Sequence, residues 1–140
     1  MAKTKGIAYW KKLAWDEFSR MIRIRDALET TEEIDWCACC TCGKWYPTFG
    51  RNCIQAGHYV GGRRNAVLFD EHCVHGQCRG CNKFKSGNPI AYRKFIENKY
   101  GIEERDRLEA LEHQTKEYSI KDFKRLKGEF KKRADEMMKL

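Results

Sequence analysis

The sequence predicts a mostly helical α+β fold: a centre of short strands stapled by cysteines, flanked by an N-terminal helix and C-terminal helices. Three observations carry that prediction. Apolar residues recur at spacings of three and four at both ends of the chain. Two Cys-x-x-Cys knuckles, Cys39–Cys42 and Cys78–Cys81, sit in the middle. Between them lie short apolar runs broken by glycine. A length of 140 residues suits one domain with one modest core. We divide it into a helix at 7–28, a stapled centre at 37–87 and helices at 88–140.

The first helix carries Ile7, Trp10, Leu13, Ala14, Phe18, Met21 and Ile22 on one face, with Lys11, Lys12, Asp16 and Arg20 opposite. It reads as a packing helix without chemistry. Thr30 to Trp36 is polar and acidic, a loop into the first knuckle. Lys44 to Arg51, with Pro47 and Gly50, predicts an irregular turn or short strand. Cys53–Tyr59 and Ala66–Phe69 read as two short strands, joined by the glycine-rich Val60–Asn65. A short helix begins near the second knuckle and stops at Gly87. Asn88 suits an N-cap and Pro89 the first helical position, so the next helix runs to Gly101 with Tyr92, Phe95 and Ile96 on one face. Ile102–Glu112 is another helix. Ser119 caps the last one, with Asp122 near its positive end and Phe123, Leu126, Phe130 and Met137 inward.

The formal net charge is +8. A basic domain of this size most often meets a polyanion, with DNA or RNA the leading class. No apolar run reaches the ~18 residues of a membrane span. Met1–Gly6 lacks the apolar stretch of a signal peptide. The eight cysteines are then expected to stay reduced, which favours metal over disulfides.

Four thiolates in two knuckles can close a tetrahedral zinc site. In the first cluster both Cys37-x-x-Cys40 and Cys39-x-x-Cys42 have knuckle spacing. Cys39 and Cys42 are preferred because Gly43 follows, and a small residue there lets backbone N–H groups turn toward sulfur. Cys78 and Cys81 form the second pair. The 35 residues between Cys42 and Cys78 exceed a compact zinc ribbon and leave room for a functional insert. Cys37, Cys40, Cys53 and Cys73 read as small buried hydrophobes. Alternatively, His72, Cys73 or His75 replaces one ligand, His75-x-x-Cys78 having a suitable spacing.

A closed zinc site does no chemistry itself, so attention moves to Gly57-His58-Tyr59 between the knuckles and Asn82 after the second. Phosphodiester hydrolysis needs a base near the attacking water and a cation offsetting charge on the phosphate. Imidazole suits the first role near neutral pH. An Asn carbonyl suits Mg²⁺ or Mn²⁺.

Cys39 to Arg93 resembles an HNH (His-Me finger) endonuclease, and more narrowly the phage recombination endonuclease family called NinG or Rap. The matching residues are Cys39-x-x-Cys42-Gly43, Ala56-Gly57-His58-Tyr59, Phe69-x-Glu71, and His75-x-Gln77-Cys78-x-x-Cys81-Asn82. They continue through Lys85-Ser86-Gly87-Asn88 and Tyr92-Arg93. A weaker likeness extends to Tyr9-Trp10, to Ile22-Arg23 through Asp26, and to the C-terminal helices. The resemblance implies a ββα-metal core with His58 as general base, Asn82 as ligand to the catalytic cation and structural Zn²⁺ on the four cysteines. It implies hydrolysis of branched DNA such as Holliday junctions, leaving a 5′-phosphate and a 3′-hydroxyl. It also implies the cytoplasm of a bacterial host.

The chain departs from the general pattern twice. Gly57 stands where many HNH sites carry an Asp metal ligand, which leaves Glu71, Asp70 and His75 as candidate second ligands, with Gln55 behind them. The Asn that braces the loop near the base falls on Cys73, so His72 or a backbone contact is expected to serve. His113 is expected to be inert. Arg63 and Arg64, just past His58, and Lys83 and Lys85, after the second knuckle, are candidate DNA contacts, as are the lysines and arginines of the last helix. Two matched cuts at a four-way junction suggest a homodimer, with the terminal helices as its surface. Competing expectations are an HNH enzyme that prefers a linear duplex sequence, a non-catalytic zinc module that binds nucleic acid, and thiol redox chemistry.

Overall fold

The computed structural model describes residues 4–140. Met1–Lys3, half of the segment read above for a signal peptide, lie outside the described residues. Helix α1 spans Ile7–Thr31 and outruns its predicted end at Leu28. The extension is local chemistry. Thr30 and Thr31 hydroxyls donate to the carbonyls of Asp26 and Ala27, and Glu32, at φ 62°, closes the helix with its N–H on Leu28 O at 3.1 Å. The expected loop therefore shrinks to a few residues.

Two antiparallel hairpins follow. Strand β1 (Trp36–Ala38) pairs with β2 (Trp45–Pro47), placing Cys37 opposite Tyr46. Strand β3 (Gln55–His58) pairs with β4 (Val74–Gln77), placing Gly57 opposite His75 and His58 opposite Val74. The sequence predicts a strand at Ala66–Phe69. That stretch is instead a single helical turn, α2 (Asn65–Leu68), with Val67 and Leu68 buried. A four-residue apolar run does not distinguish strand from helix by periodicity. The partner of β3, Val-His-Gly-Gln, has no alternation because all four positions are buried. Gly76 is needed there: a β-carbon would come within 2.8 Å of the Cys37 sulfur.

From within the second knuckle the chain makes one π-helical turn, Gly80–Phe84, which includes Cys81. Helix α3 (Pro89–Tyr100) follows, then α4 (Ile102–Ala110) and a 3₁₀ turn at Leu111–His113. Gly101, at φ +95°, makes the break between α3 and α4. Pro89 occupies the start of α3 as expected, but Asn88 does not cap it with its side chain. Asn88 has φ 49°, and its Nδ2 points to Cys81 Sγ at 3.7 Å.

Helix α5 (Ile120–Met137) begins with a capping box: Ser119 Oγ accepts from Asp122 N–H, and Asp122 Oδ2 accepts from Ser119 N–H. Its Phe123, Phe130 and Ala134 are buried, and Phe130 meets Phe18 of α1 at a ring separation of 4.9 Å. The apolar faces of the terminal helices are thus spent on each other, each large side chain contributing about 1.5–3 kcal/mol by burial. The core joins α1 and α5 to Val74, Tyr92, Ile96 and Leu108, and a smaller cluster gathers Ala27, Ile54 and Cys37 around Cys39, Cys78 and Cys81.

One ion pair ties α1 to the second hairpin. Asp26, 4% exposed, is bonded to Arg25 at 2.7 Å and accepts the Gly76 N–H at 2.7 Å. Arg25 in turn donates to the carbonyls of Glu71 and Val74. Burial raises the Asp26 pKa, opposed by Arg25 and the Gly76 N–H. The helix read as free of chemistry therefore holds β4 in place.

Candidate functional site

Cys39, Cys42, Cys78 and Cys81 converge, their sulfurs all within 4.8 Å of one another. A tetrahedral Zn–S₄ unit needs sulfurs about 3.8 Å apart, and Cys42 Sγ lies 3.9 Å from Cys78 Sγ. The backbone supports thiolates: Cys78 N–H points to Cys39 Sγ at 3.3 Å and Cys81 N–H to Cys78 Sγ at 3.4 Å. Gly43, at φ +75°, allows the tight knuckle in which its own N–H reaches Cys39 O. Burial opposes ionisation of Cys39, but N–H groups of Cys78, Cys42 and Thr41 and the Thr41 hydroxyl hold it down at about 7. Cys42 is pushed up to about 12, by burial and then by neighbouring thiols. Four adjacent thiols resist joint ionisation unless a cation sits among them, so the donor set fits a structural metal such as zinc. Cys37, Cys40, Cys53 and Cys73 stand outside this cluster.

Beside it opens a cleft of about 660 Å³, where His58 and Asn82 meet. His58 ends β3, and its ring stacks on Trp15 of α1 at 5.3 Å. Its Nε2 lies 3.4 Å from the Leu68 carbonyl. A carbonyl can only accept, so this contact selects the Nε2–H tautomer and leaves Nδ1 as the free base. Nδ1 has no hydrogen-bond partner among the described residues. Burial pushes the His58 pKa down to about 4, opposed by the Leu68 contact and reinforced by Arg63. The imidazole is therefore neutral at physiological pH.

Asn82 lies in the π-helical turn, its Nδ2 donating to Gln55 Oε1 at 2.9 Å. Its Oδ1 is turned toward Gly57, where a β-carbon would come within 3.1 Å of it. The same β-carbon would lie only 2.3 Å from Gln77 Oε1. A side chain at position 57 would therefore require Gln77 to move.

Arg63 and Lys83 line the cleft, Arg63 lying over the Trp15 ring at 4.3 Å. Arg64 instead donates to the carbonyl of Glu112, and Lys85 is exposed beyond the cleft lining. Three candidate metal ligands, Glu71, His75 and Asp70, are not brought in. Glu71 is paired with Arg133, whose nitrogens reach its oxygens at 2.9 and 2.5 Å. His75 is 1% exposed; Nε2 meets Tyr100 Oη at 2.8 Å and Nδ1 meets Tyr92 Oη at 3.4 Å. Asp70 accepts the N–H groups of His72 and Cys73 and pairs with Arg107.

Of the two expectations for the brace, the backbone contact is the one present, and two further contributions, Leu68 O and Arg23, were missed in the sequence. Cys73 itself braces the segment past His58, its carbonyl accepting Tyr59 N–H at 2.7 Å and its sulfur Val60 N–H at 3.4 Å. His72, expected in that role, stacks on Tyr100 and pairs with Glu104. Leu68 O orients the imidazole, which no side-chain pattern reveals. Arg23 enters the cleft from α1, held by Ser19 O and Thr48 O. No carboxylate lines the cleft among the described residues.

The family described as "Bacteriophage Lambda NinG protein" matches residues 1–139. The chain belongs to the NinG family. It is 29% identical over 134 residues to "Protein ninG" of Salmonella phage P22, covering 95% of this chain and 60% of that protein. It is 29% identical to the protein of the same name in Escherichia phage lambda, covering 95% of this chain and 59% of the relative. With the Enterobacteria phage H19B protein the identity is 31% over 126 residues, covering 89% and 56%. The chain therefore spans about 60% of the length of these NinG relatives. No solved structure matches it. The matched range spans the positions of both knuckles, His58 and Asn82. Among the described residues, no helix is long and apolar enough to cross a membrane.

Proposed function

We propose that this chain is a metal-dependent endonuclease of the HNH (His-Me finger) type, acting on branched recombination intermediates such as Holliday junctions. The observation that carries this reading is the cleft itself, which gathers a neutral, oriented imidazole, an amide oxygen and unopposed cations. The hairpin β3–β4 followed by the turn bearing Asn82 would be the ββα-metal core.

His58 Nδ1 takes a proton from the attacking water as the phosphodiester is opened. The phosphate's negative charge favours the imidazolium that forms, which offsets the burial that holds its pKa low. Arg23, Arg63 and Lys83 receive the backbone phosphate, and binding weakens with salt. Asn82 Oδ1 would hold Mg²⁺ or Mn²⁺, which when bound offsets charge on the scissile phosphate and leaving oxygen. Zn²⁺ on Cys39, Cys42, Cys78 and Cys81 would fix the turn carrying Asn82 against the hairpin carrying His58. Two symmetric cuts require two such sites, so the active species on a junction is a homodimer, working in the host cytoplasm.

The test is cleavage of end-labelled four-way, flapped and linear DNA with Mg²⁺ or Mn²⁺. Wild type is expected to cut the junction, and His58→Ala and Asn82→Ala to lose cutting while still binding it. Cutting only a preferred linear sequence would replace the branched-DNA reading. Binding without any cutting would reduce the chain to a zinc-stabilised nucleic-acid module.

A further inference from the structure

The divalent cation proposed for the cleft would lack a carboxylate ligand at position 57, which is glycine. Gln77 fills the gap in space. It is 0% exposed and reaches from β4 toward the position that a side chain at 57 would occupy. Its Nε2 is tied back twice, to Gly87 O at 2.8 Å and to Thr41 Oγ1 at 3.1 Å. Both partners accept here, so the amide cannot be turned round and Oε1 points to Gly57. That oxygen is buried with no hydrogen-bond partner among the described residues.

Asn82 is arranged in the same way. Its nitrogen is tied back to Gln55 Oε1, and its Oδ1 and Gln77 Oε1 both lie within 3.1 Å of one point, the β-carbon position of residue 57. Two amides thus turn their carbonyl oxygens toward the same edge of Gly57, and a buried oxygen such as Gln77 Oε1 rarely goes unsatisfied. Oxygen donors suit a hard cation.

We propose that Gln77 Oε1 is the second protein ligand of the cleft's Mg²⁺ or Mn²⁺, standing in from the neighbouring strand for a carboxylate at position 57. The assignment rests on the cation-dependent reading above. Two neutral donors hold a divalent cation weakly, and Arg23, Arg63 and Lys83 nearby weaken it further. Occupancy therefore depends on the anionic charge that a phosphodiester brings.

Mn²⁺ titration of the zinc-loaded protein, followed by paramagnetic broadening of backbone amides around Asn82, reads binding without turnover. Wild type is expected to bind one Mn²⁺ at the cleft. Gln77→Ala is expected to weaken that binding at least tenfold at unchanged zinc content. Gly57→Asp alone clashes with Gln77. The double variant Gly57→Asp/Gln77→Ala moves a carboxylate into the vacated space and is expected to bind Mn²⁺ at least as tightly as wild type. Recovery in the double variant is not expected if Gln77 only props the hairpin, so it also decides the case in which Gln77→Ala folds poorly. Wild-type affinity in Gln77→Ala, or no recovery in the double variant, would overturn the assignment. Mn²⁺ bound through Gln77 with no cleavage of any DNA would leave the cation site standing and sink the nuclease. Cleavage with Mn²⁺ binding indifferent to Gln77 would do the reverse.

Discussion

His58 and His75 sit on facing strands of one hairpin, and burial depresses the pKa of both. Their surroundings then diverge. His75 is enclosed by Tyr92, Phe95 and Tyr100, with a tyrosine hydroxyl at each ring nitrogen. His58 is only partly buried, with one nitrogen committed to a backbone carbonyl and the other free at the cleft. Depression of a pKa by burial therefore does not separate a reactive histidine from a structural one. In the proposed reading, an uncommitted nitrogen facing a cleft does.

The largest effect expected is loss of the staple that both regions share. Cys39, Cys78 and Cys81 belong to a small buried cluster beside the hairpin, and structural zinc commonly supplies about 10 kcal/mol or more of folding free energy. Chelation of the metal, or Cys78→Ser, is expected to unfold the 37–87 region and erase the difference between the two histidines. Loss of dispersed amide resonances for both hairpin strands checks it. A folded hairpin after complete zinc removal would show that the helices alone hold the centre.

The next pair of variants tests the divergence directly. His58→Ala is expected to reduce junction cleavage by about 10²–10⁴-fold, the usual worth of a general base, with little change in melting temperature. His75→Ala is expected to do the opposite. It leaves a cavity and strips partners from the Tyr92 and Tyr100 hydroxyls, which costs about 2–4 kcal/mol of stability by urea denaturation. Cleavage per folded molecule is expected to survive it. If His75→Ala abolished cleavage without loss of stability, the aromatic enclosure would have been misjudged and His75 would belong to the site.

These outcomes also show what the sequence could tell. The knuckles were legible because zinc ligation imposes a fixed spacing, and Gly43 distinguished between two overlapping registers. The terminal helices were legible because their apolar periodicity matches their buried faces from Ala14 onward in α1 and at Phe123 and Phe130 in α5, although Ile7, placed on the same face, is exposed. Strand β4 was not, since a strand buried on both sides has no alternation, and Val-His-Gly-Gln is a weak strand former. Missing β4 concealed its consequences: it encloses His75 and aims Gln77 at Gly57. Glu71 was drawn to Arg133, 62 residues away, by a pairing that no local pattern encodes. Leu68 O was invisible for another reason: every residue has a carbonyl, and only the fold selects which one orients His58.

The smallest effect concerns acid stability. An unfolded histidine titrates near 6.5, whereas His58 in the folded chain binds its proton only near 4. Between those values the unfolded chain holds more protons than the folded one, so stability rises with pH across the window and falls as pH drops through it. His75 is also held below the usual histidine range, by burial and then by Arg25, Lys99 and His72, and its contribution has the same sign. Thiolates of a zinc site add a further acid-labile term, so wild type alone does not isolate the histidines. The informative quantity is the difference between wild type and each Gln variant, measured by urea denaturation from pH 7.5 to about 4.5 with zinc content monitored. His58→Gln is expected to remove about 1–2 kcal/mol of the acid loss, the partial exposure of the ring limiting the effect. His75→Gln is expected to remove more, because that ring is sealed from solvent. Equal slopes in the two variants would mean that His58 is as enclosed as His75, and the open cleft on which the functional contrast rests would not exist.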